Sequence, residues 1–262
     1  MKPKILFTIS IFILLAATLA CQVTSPIAAI FATDTPTPTI TPSPTPTLTP
    51  TPTLTPTLTP VPIGVKSETL ADKSTVFNDY DNKFQLTLPE GWIVIPITVE
   101  DLSKMTDMVA ETNPQLADTV KAFKNLDPDV IRMVALNGDP KYAQNGFATN
   151  LTVTAVEDKI MSTMPIEFVT GMLEGTFEKT GAKVLTSGAN TFKSASGVKI
   201  GVMETQQSLT TAIGSKITMY SKYLVFQVGD KVILVQLATQ TQLADELIPI
   251  LDTIADTIKL LD

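Results

Sequence analysis

Histidine is absent from all 262 residues, and there is one cysteine, one arginine and one tryptophan. Without histidine there is no His general base, no Ser-His-Asp triad and no His metal ligand. A single cysteine excludes an internal disulfide, a zinc knuckle and a thiol redox pair. Arg132 stands alone in a chain of formal charge −7, the opposite of the basic, arginine-rich stripe that binds nucleic acid. No glycine-rich phosphate loop of either common spacing occurs. No cofactor, no metal and no nucleic-acid partner are therefore expected, and the folded part must be held by its apolar core alone.

What is present begins at the N-terminus. Lys2 and Lys4 precede an apolar run, Ile5 to Leu15, and the small-residue stretch Ala16-Ala17-Thr18-Leu19-Ala20 leads to Cys21. A charged start, a short apolar run and a small-residue cleavage site read as a secretory signal peptide. Ending it on cysteine resembles the bacterial lipoprotein signal. That resemblance implies lipidation of the Cys21 sulfur and cleavage before Cys21, after Ala20, and Thr18 stands where the family usually has Leu. The apolar stretch from Ile5 to Ala20 is 16 residues long, short of the about 20 a spanning helix needs. An uncleaved anchor and a plain secreted product are the alternatives. Removing residues 1–20 takes away two lysines and no acid, so the charge moves from −7 to −9. Gln22 follows the cysteine. By the same resemblance, the lack of Asp there permits the outer membrane in a two-membrane bacterium, and otherwise implies the outer face of the cell membrane.

From Thr35 to Pro62 the chain is a Thr-Pro repeat carrying ten of the 19 prolines. Proline removes backbone donors and fixes φ, so neither helix nor sheet is expected here. A semi-rigid stalk reaching ~80 Å is. The composition also suits O-glycosylation or recognition by a proline-reading partner. The expected organisation is a signal peptide at 1–20, a lipidated N-terminus and stalk at 21–65, and one domain at 66–262.

Within the domain, Gly64 to Ser74 reads as a polar lead-in. Phe84, Leu86 and Leu88 alternate with Gln85 and Thr87, the period of a half-buried strand. Pro89-Glu90-Gly91 is a turn, from which Trp92 enters a second strand, Ile93 to Ile95, ended by Pro96. Residues 99–126 show helical spacing through Leu102, Met105, Val109, Leu116, Val120 and Phe123, interrupted at Pro114. Ile131 to Leu136 and Phe147 to Val156 read as strands around a loop, 137–146. A helix capped by Thr163, with Pro165 in its first turn, carries Ile166, Val169, Leu173 and Phe177 inward. Strands follow at Lys183–Thr186, Val198–Leu209 and Lys216–Val228, with a Gly229-Asp230 hairpin into Lys231–Thr239. A last helix is expected over 242–260, bent at Pro249. Tyr223-Leu224-Val225-Phe226 and Val232-Ile233-Leu234-Val235 have no polar face, so their sheet is covered on both sides. The expected architecture is an α+β, largely antiparallel sheet between helices.

Phe84-x-Leu-x-x-Pro89-x-Gly91-Trp92, followed by this order of elements, resembles the PsbP/DcrB-type domain over about residues 76–262. The resemblance implies an α/β/α sandwich and a binding or assembly role in place of catalysis. The metal-linked behaviour of the photosynthetic members is not carried over, because no histidine matches.

Several motifs have a bland reading beside the sharp one. Ser196-x-x-Lys199 has the spacing of penicillin-binding enzymes, but that chemistry needs a helix, and this pair falls at a hairpin. Asn78-Asp79-Tyr80-Asp81-Asn82 gathers oxygens without the Gly and Glu of a calcium loop, and reads as a turn with solvated carboxylates. Gly171-x-x-x-Gly175 reads as close packing of a helix on the sheet. Met105, Met108, Met161, Met164 and Met172 form either a pliable ligand surface or, by their helical spacing, core. Tyr142, in the loop 137–146, is a possible partner contact, or else folds back over the sheet edge.

The functional expectation is a lipid-anchored, extracytoplasmic, non-catalytic binding or assembly module, with the membrane as partner through its lipid and an unknown protein or small molecule as ligand. The alternative is an extracytoplasmic hydrolase using Ser or carboxylate chemistry without histidine.

Overall fold

The computed structural model describes residues 62–96, 127–186, 190–211 and 213–261, together with Glu111. The signal, the stalk and the expected helix at 99–126 lie outside the described residues, Glu111 excepted. In chain order the strands before the first helix described by residue range are β1 (Val65–Thr69), β2 (Thr75–Asp79), β3 (Phe84–Leu88), β4 (Trp92–Pro96), β5 (Ile131–Asn137), β6 (Ala143–Gln144), β7 (Phe147–Ala148) and β8 (Asn150–Glu157). Helix α1 (Ile166–Lys179) leads to β9 (Lys183–Val184), β10 (Thr191–Lys193), β11 (Lys199–Thr210), β12 (Lys216–Val228) and β13 (Lys231–Gln240). Helix α2 (Ala244–Asp256) and β14 (Lys259–Leu260) close the chain.

Every pairing among these strands is antiparallel. The large sheet runs β10-β11-β12-β13-β8-β5-β4, with β9 also on β11, and a small sheet runs β1-β2-β3-β14. The long hairpin β12–β13 is its spine. Gly229, at φ +58°, opens the two-residue turn, and Val228 faces Lys231 in register. Leu224, Phe226, Ile233 and Val235 point to one face, and Tyr223, Val225, Val232 and Leu234 to the other. Both faces are covered, as a strand without a polar face requires.

The covers are unlike each other. On one face α1 packs Ile166, Val169, Leu173 and Phe177 against Met203, Tyr223, Val225 and Leu234. On the other, α2 shares the cover with the small sheet. Leu247, Leu251 and Ile254 join Phe77, Phe84, Leu86 and Leu88 there. Phe84 meets Phe226 edge-on, with centroids 5.4 Å apart at 76°, a geometry worth about 0.5–1.5 kcal/mol beyond the buried area. Helices were expected on both faces. A second sheet beside α2 was not, because β1 is an exposed edge strand whose Lys66 and Glu68 read as polar lead-in.

Local chemistry moves several other boundaries. Helix α1 starts after Pro165 and is not capped by Thr163. A residue before proline is driven out of the helical region, and Met164 is extended, at ψ 154°. Thr163 Oγ1 instead donates back to Ile160 O at 3.0 Å within a 3-10 turn. Helix α2 ends at Asp256, short of residue 260. Thr257 Oγ1 accepts from Thr87 N at 2.8 Å, and Lys259–Leu260 then pairs with Gln85–Phe84. Gly171 and Gly175 do not pack on the sheet, since a Cβ on either would meet nothing within 4 Å. The close approach is on the strand side, at Gly201, where an added Cβ would lie 2.5 Å from Thr170 Cγ2. Met161, Met164 and Met172 pack with the α1 core. Met105 and Met108 are outside the described residues.

Candidate functional site

Cys21 and the cleavage point after Ala20 lie outside the described residues. The loop carrying Tyr142 is within them and is more ordered than a plain loop. Asp139 accepts from Lys141 N at 2.9 Å and starts a 3-10 turn, Pro140–Tyr142. A hairpin, β6–β7, follows and turns at Asn145-Gly146, both at positive φ. Tyr142 is 6% exposed, with its ring in the core cluster of Trp92 and Leu247. Its hydroxyl donates to Glu246 Oε1 at 2.6 Å. Lys141 Nζ reaches the same oxygen at 2.5 Å and sits 4.6 Å from the Tyr142 ring centroid. The Lys141 hydrogen bond, then that of Tyr142, holds the Glu246 carboxyl below its ordinary range. Tyr142 therefore clamps the loop onto α2, and the exposed aromatic anchor that a partner contact needs is not there.

The oxygen cluster at 78–82 is not a solvated turn. Asp79 is 0% exposed at the end of β2. Its Oδ2 accepts from Arg132 Nε at 2.9 Å and Asn82 Nδ2 at 2.6 Å. Its Oδ1 accepts from Asn82 N at 3.1 Å and Arg132 Nη2 at 3.2 Å. Arg132 Nη2 also reaches Asp81 Oδ2 at 2.6 Å. Burial pushes the Asp81 carboxyl up, but the Gly64 N–H and Arg132 outweigh it, so it rests below its usual range. The single arginine thus ties the small sheet to β5 of the large one. Both Asp79 oxygens are occupied by protein donors, which leaves none for calcium. Removing one partner of such a buried pair strands a charge at a cost of about 3–5 kcal/mol.

Ser196 and Lys199 are likewise held apart by different partners. Ser196 Oγ donates to Ile258 O at 2.6 Å, and Lys199 pairs with Glu167. The Ser-x-x-Lys spacing is coincidental.

A constellation that the sequence reading passed over lies where α2 crosses β11 and β12. Tyr220 and Lys222 continue the inward side of β12 set by Leu224 and Phe226. Glu204 on β11 faces Lys222 in register. On α2, Asp245 and Asp252 are two turns apart and share a helix face. Lys222 is 6% exposed, with Nζ 2.6 Å from Asp252 Oδ1 and 4.0 Å from Glu204 Oε1. Tyr220 is 3% exposed. Its hydroxyl is the one buried side-chain polar atom among the described residues with no hydrogen-bond partner. Burial, then the charge of Glu204 and hydrogen bonding with it, then the charges of Asp252 and Asp245, push the Tyr220 pKa up. Glu204 thus stands at the edge of hydrogen-bonding reach of that hydroxyl. The available signal was Lys222 itself, a charged residue in the inward parity of an otherwise apolar strand.

No family model and no curated protein matches the chain. Among solved structures, it is similar to the cyanobacterial PsbP (CyanoP) of Synechocystis, at 15% identity over 71% of this chain and 92% of that one, with a TM-score of 0.43. It is similar to the Saccharomyces cerevisiae Ran-binding protein Mog1p, at 12% identity over 77% and 97%, with a TM-score of 0.38. It is also similar to LpqN of Mycobacterium tuberculosis, involved in cell envelope biogenesis, at 10% identity over 76% and 91%, with a TM-score of 0.37. Likenesses of this depth carry no argument about what the chain binds. The fold itself is a mostly antiparallel, sheet-rich domain with few helices among the described residues.

Proposed function

We propose that the chain is a lipid-anchored, extracytoplasmic binding or assembly module. Cys21 is the lipidated N-terminus after cleavage behind Ala20, residues 35–62 are a stalk, and residues 66–262 present a sandwich of the PsbP/DcrB type. The observation that carries this reading is the N-terminal sequence itself. Two lysines, an apolar run too short to span and a small-residue approach end on the chain's single cysteine. Two or more acyl chains on that residue anchor stably, where one gives only marginal binding. Its site is the extracytoplasmic face of the cell membrane, or the outer membrane where there are two. A binding role is supported by how the reactive side chains are used. Ser196, Lys199, Asp79 and Arg132 all serve as structural ties. The expressed protein is expected to partition into detergent and to take up labelled fatty acid. A Cys21→Ala form that still incorporates label refutes the anchor, and labelling of a serine by a fluorophosphonate probe refutes the non-catalytic reading.

A further inference from the structure

The β2–β3 turn meets the start of β13 through an amide, an amine and a carboxylate. Lys231 Nζ donates to Asn82 Oδ1 at 2.7 Å, and Asn82 Nδ2 donates to Asp79 Oδ2 at 2.6 Å. The amide is fixed this way round, because its oxygen cannot face a carboxylate and its NH2 cannot face an ammonium. Asn82 N also donates to Asp79 Oδ1 at 3.1 Å, so the side chain hangs from a held backbone. A nitrogen 2.7 Å from a carbonyl oxygen is at most about 3.9 Å from its carbon, close to the about 3–3.5 Å of a near-attack pair. Asp79 is 0% exposed and Asn82 is 4% exposed, so water is kept from the amide carbon while the amine is held beside it. Among the described residues, Lys231 Nζ spends its hydrogen bond on this neutral amide and not on a carboxylate.

We propose that Lys231 and Asn82 join in an intramolecular isopeptide bond, with Asp79 as the proton carrier. The Lys231 ammonium gives one proton to water, and the amine attacks Asn82 Cγ, forming the Nζ–Cγ bond. Both nitrogens are then on one carbon. The Asp79 carboxylate, already on Nδ2, takes a proton from Nζ and returns it to Nδ2. The Cγ–Nδ2 bond breaks and ammonia leaves, to be protonated in water. One amide replaces another, no oxidant or cofactor is consumed, and the escape of ammonia makes the exchange one-way. The bond ties the small sheet to the spine of the large one across 149 positions of sequence. A disulfide could do the same work, but a single cysteine, Cys21, cannot supply one. The crosslink is independent of what the domain binds.

The test is mass spectrometry of tryptic peptides from the full-length chain, held folded in detergent until its masses no longer change. Trypsin does not cut after an acylated lysine. The expected product therefore joins residues 74–83 to residues 223–259, at a mass one ammonia below the sum of the two peptides. Fragmentation should place the branch on Asn82 and Lys231. Lys231→Arg keeps the charge and does not form the bond, so it should release residues 74–83 alone. Its melting temperature should fall by about 5–20 °C, the loss of a crosslink that closes so long a loop. Asp79→Asn combined with Arg132→Met removes the carboxylate and its counter-charge together, so neither is stranded. That double variant should stay unlinked. Recovery of residues 74–83, 223–231 and 232–259 as separate peptides from the parent overturns the proposal. A branch between other residues overturns it as well, and a link in the double variant overturns the role of Asp79. If the crosslink is absent while Cys21 still takes up fatty acid, the anchored-module reading stands and the isopeptide bond alone falls.

Discussion

Gly201→Ala is a severe test of the packing between α1 and the large sheet. The added Cβ would lie 2.5 Å from Thr170 Cγ2 and 3.2 Å from Ile166 Cγ1. Thr170 cannot swing aside cheaply. It is β-branched on a helix, and its Oγ1 donates to Ile166 O at 3.1 Å and Glu167 O at 3.0 Å. Overpacking of this kind costs about 1–3 kcal/mol. Replacing glycine in an extended strand returns about 0.4–1 kcal/mol through the unfolded chain. A net loss of about 1–2 kcal/mol follows, a fall of roughly 2–8 °C in melting temperature at this domain size. The partner substitution is Thr170→Ser, which keeps the hydroxyl and deletes the offending methyl. Alone it empties a buried methyl site and costs about 0.5–1.5 kcal/mol. In the double variant the new methyl fills the space of the deleted one, so stability should return close to that of the parent. Urea unfolding followed by circular dichroism gives the four free energies and the coupling, which should be about 1–3 kcal/mol and favourable. A double variant whose losses simply add refutes the close contact between Gly201 and Thr170.

Two further expectations follow from the Tyr142 clamp. Tyr142→Phe loses one hydrogen bond to a solvated carboxylate and should cost about 0.5–1.5 kcal/mol, whereas Tyr142→Ala should cost about 3–5 kcal/mol. Capture of any co-purifying partner should survive both, and unchanged melting with lost capture would restore Tyr142 as a contact. Glu246 and Glu167 titrate below their ordinary 4.5 in the folded chain, through their bonds to Lys141 and Lys199 respectively. The unfolded chain therefore binds the protons first on acidification. The stability these pairs supply is present above about pH 4.5 and is lost as pH falls through the lowered values. Both pairs are solvent-exposed, so the effect is modest. A melting temperature that declines from about pH 5 towards pH 3, with a flatter decline in Lys141→Gln, is the expected record.

Legibility tracked how strongly each segment's burial was written in its own residues. Strand β3 and the hairpin β12–β13 were readable because alternation, or its loss on both faces, is a local property. The inward face of α1 was readable for the same reason. The failures are competitions that a one-dimensional pattern cannot settle. Ile258 extends the apolar period of α2 by one more step, yet Thr87 and the edge of β3 capture that stretch first. Pro165 moves the start of α1 because of what it does to Met164, an effect stronger than the capping preference of Thr163. Strands β1 and β2 were read as lead-in and turn because Asp79 and Asp81 look like surface carboxylates. The residue that holds Asp79 in the interior, Arg132, is 53 positions away from it.

The same distance explains why the cluster around Lys222 was invisible while the signal-like pattern at the N-terminus was legible. Lys2 to Cys21 is contiguous, and its meaning depends on order alone. Tyr220, Lys222, Glu204, Asp245 and Asp252 come from three elements, and each has an ordinary local reading as a strand or helix residue. Only the register of Glu204 against Lys222, and the ion pair of Lys222 with Asp252, bring these ordinary residues together. Local consistency is what selects a fold. Lys222, charged and 6% exposed on an otherwise apolar strand, departs from that consistency, and the carboxylate of Asp252 offsets its charge.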